Sequence, residues 1–147
     1  ALMKLGAFSI VSHVSAGEAH QSIDDYAGLH ARHPLLAACL TVFMLSLIGI
    51  PLTGGFFGKL YIFTAGIDAN LMGLVIVGVV NSALSAAYYL RVVKVMYMSE
   101  PQGNLAVVPV PASLVFVLTL TVLGTIGLGV FPSPILQFAQ QSVLPLP

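Results

Sequence analysis

Apolar and polar positions alternate along this 147-residue chain in long blocks, four apolar segments separated by polar or proline-bearing stretches. Residues 1–14 are apolar except for Lys4 and a few polar side chains, and fall short of the ~20 residues a spanning helix needs. They are expected to be the end of a truncated transmembrane helix. A cleaved signal peptide is the alternative, since Lys4 precedes an apolar run and Val14-Ser15-Ala16 has the small residues of a cleavage site. Gly6, Ser9, Ser12 and His13 make a poor hydrophobic region for one. Residues 15–33 carry Glu18, Asp24, Asp25, Arg32, His20, His30 and His33 and predict an extramembrane loop, with Asp24-Asp25 a solvated pair.

Pro34 suits the first turn of a helix, where its missing N–H costs nothing. The apolar run from Pro34 to about Gly66 exceeds one straight span, and Pro51 followed by Gly54 and Gly55 gives a reason to break it. Residues 34–66 therefore predict a discontinuous transmembrane helix, two half-helices joined near 51–55. Exposed backbone at membrane depth is tolerated only when buried in protein or lining a wet cavity, so Lys59, just past the break, is expected in a polar interior.

After a turn at Asp68-Ala69-Asn70, residues 71–98 predict a second span. On it Gly78, Ser82, Ser85 and Tyr89 share one helical face, which reads first as a helix-packing surface and second as a water path. Tyr88 and Tyr89 beside Arg91 equally fit an aromatic belt. Residues 99–111 predict a proline-rich loop, 112–131 a third span with almost no polar atoms, and 134–144 a short interfacial helix.

Composition fixes the class. Hydrophobic residues make up 58% and charged ones 7%, against the ~25% charged of a soluble domain, so this is an integral membrane chain in contact with lipid, and its long apolar segments make the expected fold an all-α polytopic transmembrane helix bundle. Net charge is zero with no basic cluster, so nothing suggests a nucleic-acid surface or an acidic partner. The lone Cys39 sits in an apolar run as a small hydrophobe and supports no disulfide. The four histidines lack metal-ligand spacing, and no phosphate loop, dinucleotide fingerprint or Ser/His/Asp set occurs, so no cofactor or metal is expected in this chain. Arg32 and His33 precede the discontinuous segment and Arg91 and Lys94 close the next, which puts both their loops in the cytoplasm and the C-terminus on the periplasmic side.

Lys59 is the principal candidate. A lysine near the bilayer centre costs ~2.5 to 3.5 kcal/mol, and the nine Leu, Ile, Val and Phe residues from Leu35 to Ile50, at roughly 0.3 to 0.6 each, about cancel it. The segment inserts, but the amine should face protein or water. Desolvation disfavours an ammonium, which makes Lys59 a candidate proton carrier; the plainer reading is a lysine that snorkels to an interface. Lys4 is a weaker candidate for proton transfer, equally well read as an interfacial anchor.

The run DDYAGLHARHPLLAACLTVFMLSLIGIPLTGGFFGKLYIFTAGI, with NSALSAAYYLRVVKVMYM after it, resembles the C-terminal part of the subunit N family of bacterial NADH:quinone oxidoreductase, within the antiporter-like superfamily. The resemblance runs essentially end to end. It implies part of a fourteen-helix membrane subunit of respiratory complex I in the bacterial inner membrane, beside the other membrane subunits of the complex. It also implies that Lys59 matches the lysine of the discontinuous helix on the central polar axis that carries protons. NADH, FMN, iron–sulfur clusters and quinone would belong to other subunits. A subunit of a multisubunit cation/proton antiporter or membrane-bound hydrogenase, which share the module, and a structural membrane subunit in which Lys59 only packs are the competing readings.

Overall fold

A computed structural model describes residues 1–15, 22–100 and 109–133. Glu18, His20, most of the 99–111 loop and the expected interfacial helix at 134–144 lie outside the described residues. Among the described residues there are six α-helices and no strand: α1 (Leu2–Val14), the single turn α2 (Leu29–Arg32), α3 (Pro34–Ile48), α4 (Gly54–Asp68), α5 (Met72–Met98) and α6 (Ala112–Val130). α5 and α6 are each long and apolar enough to cross a membrane. α3 and α4 have 15 residues apiece, roughly 22 Å at 1.5 Å per residue, so neither alone crosses a ~30 Å hydrocarbon core.

The helix ends have local causes. Pro34 is the first helical residue of α3. At the other end Gly49, at φ 91°, takes the left-handed conformation that L side chains avoid; its N–H reaches the Ser46 carbonyl at 3.1 Å, and the Ile50 N–H reaches that of Leu45 at 3.2 Å. That is a Schellman stop, with Pro51 two residues on. α4 ends the same way on Asn70 (φ 57°), whose N–H bonds the Ile67 carbonyl at 2.9 Å while that of Leu71 bonds Gly66 at 2.9 Å.

The core lies where α1, α3 and α6 meet and where α3 packs on the last turns of α5. Ile10, Leu36, Leu40, Phe43, Met96 and Leu118 are its largest fully buried side chains. The segment before α3 is less loop-like than its polar composition suggests. Tyr26, Ala27 and Leu29 are buried, and Tyr26 and Leu29 belong to this core. Burial pushes the Tyr26 phenol up, a hydrogen bond with Ser15 opposes this, and the Asp25 charge adds to it. Asp25 is more than a solvated partner of Asp24: its carboxylate accepts the Ser22 N–H at 2.8 Å and closes a capping box on the 3₁₀ turn Ile23–Tyr26. Outward faces of α4, α5 and α6 present Ile62, Leu74, Leu84, Phe116 and Leu123.

Candidate functional site: a lysine at a helix break

The break covers Gly49–Thr53, and Gly54 and Gly55 open α4 rather than forming the gap. Their work is packing. A Cβ on Gly55 would fall inside the Ser46 carbonyl, so only glycine lets the first turn of α4 close onto the last turn of α3. Gly54 packs less tightly against α6, where an added Cβ would lie 3.0 Å from the Leu128 Cβ and 3.4 Å from the Thr125 carbonyl oxygen. Pro51 sits in the gap itself, next to Leu52, which holds the left-handed conformation at φ 72° without being glycine. Thr53 ends the gap, its hydroxyl donating to the Ile50 carbonyl at 2.7 Å.

Lys59 lies just over one turn into α4, and its side chain turns back to the break. The ammonium Nζ donates to the Ile48 carbonyl at 2.8 Å and to the Ser82 hydroxyl of α5 at 2.5 Å. Ile48 is the last residue of α3, so its carbonyl is one of those a helix end leaves without an internal partner, at the end where the dipole attracts cations. The stem of Lys59 passes over Gly49, where an added Cβ would lie 3.1 Å from Cδ. One glycine thus stops α3 and clears the path for the amine.

α4 and α5 hold these partners in register. Lys59, Phe63 and Gly66 of α4 meet Ser82, Gly78 and Val75 of α5. Of the face expected on α5, Gly78 and Ser82 make these contacts. Ser85 donates to the carbonyl of Asn81 on its own helix at 2.8 Å, and Tyr89 packs edge-on against Tyr88 with ring centroids 5.7 Å apart. Lys4 is exposed on α1; its backbone N–H donates to the Ala1 carbonyl at 3.1 Å, and its side chain reaches none of the partners that Lys59 has. Among those residues no three His, Cys, Asp or Glu side chains gather as a metal centre would require.

Two polar side chains with tertiary partners, Ser46 beside the break and His30 away from it, carried no clear sequence signal. Ser46 is fully buried; its hydroxyl accepts the Gly55 N–H at 3.3 Å and donates to the Met3 sulfur of α1 at 3.1 Å. His30 joins its ring Nδ1 to the Met96 carbonyl in the last turn of α5 at 3.0 Å and stacks on Tyr97 at 5.4 Å. Since a carbonyl only accepts, Nδ1 carries the proton there. Thr121 and Thr125, buried in α6, turn their hydroxyls to their own helix, at 2.7 Å from the Val117 and Thr121 carbonyls.

Six helices, two of them long and apolar enough to cross a membrane, with a lysine drawn back to the gap between α3 and α4, give the architecture of a membrane helix bundle. The chain belongs to the family described as NADH:quinone oxidoreductase/Mrp antiporter, transmembrane, whose model matches residues 1–85 and so takes in the break, Lys59 and Ser82. It is 51% identical over 144 residues to NADH-quinone oxidoreductase subunit N 1 of Solibacter usitatus, covering 97% of this chain and 30% of that protein. It is 44% identical to NADH-quinone oxidoreductase subunit N of Trichlorobacter lovleyi, over 96% of this chain and 29% of that one. Among solved structures it superimposes on a chain of respiratory complex I from Thermus thermophilus with a TM-score of 0.82 at 28% identity, over 92% of this chain and 31% of the other. The chain spans about 30% of the length of the relatives it matches.

Proposed function

We propose that this chain forms the C-terminal part of subunit N of an NADH:quinone oxidoreductase, and that Lys59 carries protons there as the complex pumps them across the membrane. The observation that carries the reading is the pair of bonds from Nζ to the Ile48 carbonyl and the Ser82 hydroxyl. A snorkelling lysine would extend away from the break; this one is tethered to it. The printed names of the relatives support the same reading.

In this scheme the protonated amine rests against the open end of α3. Ser82 accepts a hydrogen bond from Nζ and has a hydroxyl proton of its own to donate onward, so it can receive a proton as it passes another on. When the ammonium loses its proton, the nitrogen lone pair accepts the next. Pro51 and the two glycines shape the break around this exchange, and Ser85 and Tyr89 extend the polar face of α5 beyond Ser82. Lys4 takes part only through groups that cover its exposed face in the assembled subunit. NADH, FMN, iron–sulfur clusters and quinone react in other subunits, so the enzyme is the complex and this chain one of its membrane parts. It sits in the bacterial inner membrane among the other membrane subunits, with its C-terminus periplasmic.

The family description also covers Mrp antiporters, which supports a cation/proton antiporter subunit as the second reading. Inverted membrane vesicles containing the full-length parent subunit separate the two. NADH addition acidifies the lumen without sodium under the first reading. A sodium gradient drives proton exchange without NADH under the second.

A further inference from the structure

We infer that Ser46 is a positioning residue for Lys59: its hydroxyl clamps the two half-helices across the break and so holds the Ile48 carbonyl where the amine can reach it. The inference rests on the proton-carrier reading of Lys59. Ser46 has no exposed surface, so its polar atom must be used. It is used across three helices. It accepts the Gly55 N–H of α4 at 3.3 Å and donates to Met3 of α1 at 3.1 Å, and its backbone carbonyl lies where a Gly55 Cβ would stand. Gly55 is in the first turn of α4, whose N–H groups have no partner within the helix, so this is an N-terminal cap supplied by another helix.

The consequence follows from chain geometry. Ile48 is two residues beyond Ser46 in the last turn of α3, and Lys59 is four residues beyond Gly55 in α4, one helical turn along the same face. A bond from Ser46 to Gly55 therefore fixes the α3 end against the same stretch of α4 that carries the amine. The Ser46 carbonyl also accepts the Gly49 N–H at 3.1 Å, so the same residue holds the glycine over which the lysine stem passes. The acceptor of the other Ser46 bond is a thioether, a weak one, so the Gly55 N–H is the stronger partner of this hydroxyl.

The test uses the full-length subunit in its assembled complex, reconstituted in liposomes, with NADH-driven proton uptake and quinone reduction measured together. Four variants are compared: Ser46→Ala, Ser46→Cys, Lys59→Met and the Ser46→Ala/Lys59→Met double. Ser46→Ala is expected to lower the initial rate of proton uptake per electron about three- to tenfold, the factor of one lost hydrogen bond. Ser46→Cys, similar in size with a weaker donor and acceptor, should recover part of it. Adding Ser46→Ala to Lys59→Met should change nothing further. If Ser46→Ala does not assemble, Ser46→Cys decides alone: reduced uptake in an assembled complex supports the clamp, and uptake equal to wild type overturns it. Loss of pumping in Lys59→Met with both Ser46 variants at wild-type rates also overturns the clamp while leaving the carrier intact. Wild-type pumping in Lys59→Met removes the carrier itself, whatever Ser46 does.

Discussion

The amine of Lys59 and the carbonyl of Ile48 stand 2.8 Å apart although the two residues are 11 positions apart in the chain with a helix break between them. An α-helix continuing through Ile48 would use that carbonyl for a backbone N–H four residues on, and lysine would find it occupied. Stopping α3 at Gly49 frees it. Restarting the helix at Gly54 puts Lys59 just over a turn past the gap, within reach of it.

Gly55 is the position where this arrangement is least forgiving. Gly55→Ala places a methyl inside the Ser46 carbonyl and should destabilise the subunit by about 1 to 3 kcal/mol or more, seen as a lower thermal unfolding midpoint and less assembled complex. Gly58→Ala, one turn along, meets nothing within 4 Å and should be neutral or stabilising by up to about 1 kcal/mol.

Ser82 should matter less than Lys59 and in the same direction. Ser82→Ala leaves Ile48 as the acceptor for Nζ and removes a hydrogen bond to a charged group, typically about 1.5 to 3 kcal/mol. The expected result is slower proton uptake with quinone reduction less affected, measured in reconstituted complex.

His30 ties the segment before α3 to the end of α5. His30→Ala leaves the Met96 carbonyl without this donor and removes the stack on Tyr97. A loss of about 1 to 3 kcal/mol in local stability is expected, read as faster amide exchange across residues 22–33. Lys59-dependent pumping should survive it.

His33 sets a pH dependence at the same end of the bundle. Burial first, then the charges of His13 and Arg32, hold its imidazole below the ordinary value of 6.5. The unfolded chain then binds a proton at His33 more readily than the folded one, so this contribution is present in full above about pH 6.5 and declines as pH falls through the folded value. Thermal unfolding of the purified subunit in detergent should show a midpoint rising with pH up to that point. His33→Gln should flatten the rise.

A helix break and a lysine beside it can be read from sequence because each depends on neighbouring residues alone. Pro51 beside glycine in an apolar run cannot continue a helix, and an amine in that run must find polar surroundings. The break near 51–55 expected from Pro51, Gly54 and Gly55 has its stop slightly earlier: Gly49-Ile50-Pro51 is the glycine-then-proline signature of a Schellman end, whereas Gly54 and Gly55 lie close against α6 and α3. Close packing of that kind depends on the approach of distant elements and leaves no periodicity to read. Ser46 was hidden for the same reason, one hydroxyl whose partners lie 9 and 43 residues away. Polar composition likewise concealed that Tyr26 and Leu29 belong to the core.

The most direct test of the central claim is proton translocation per electron by the parent complex in sealed liposomes with Lys59→Met. Methionine keeps an unbranched stem and removes the exchangeable proton. The account predicts a strong loss of NADH-driven proton uptake in an assembled complex, with Lys59→Arg restoring it only in part because a guanidinium does not release its proton near neutral pH. Unchanged proton uptake and quinone reduction in Lys59→Met would contradict it.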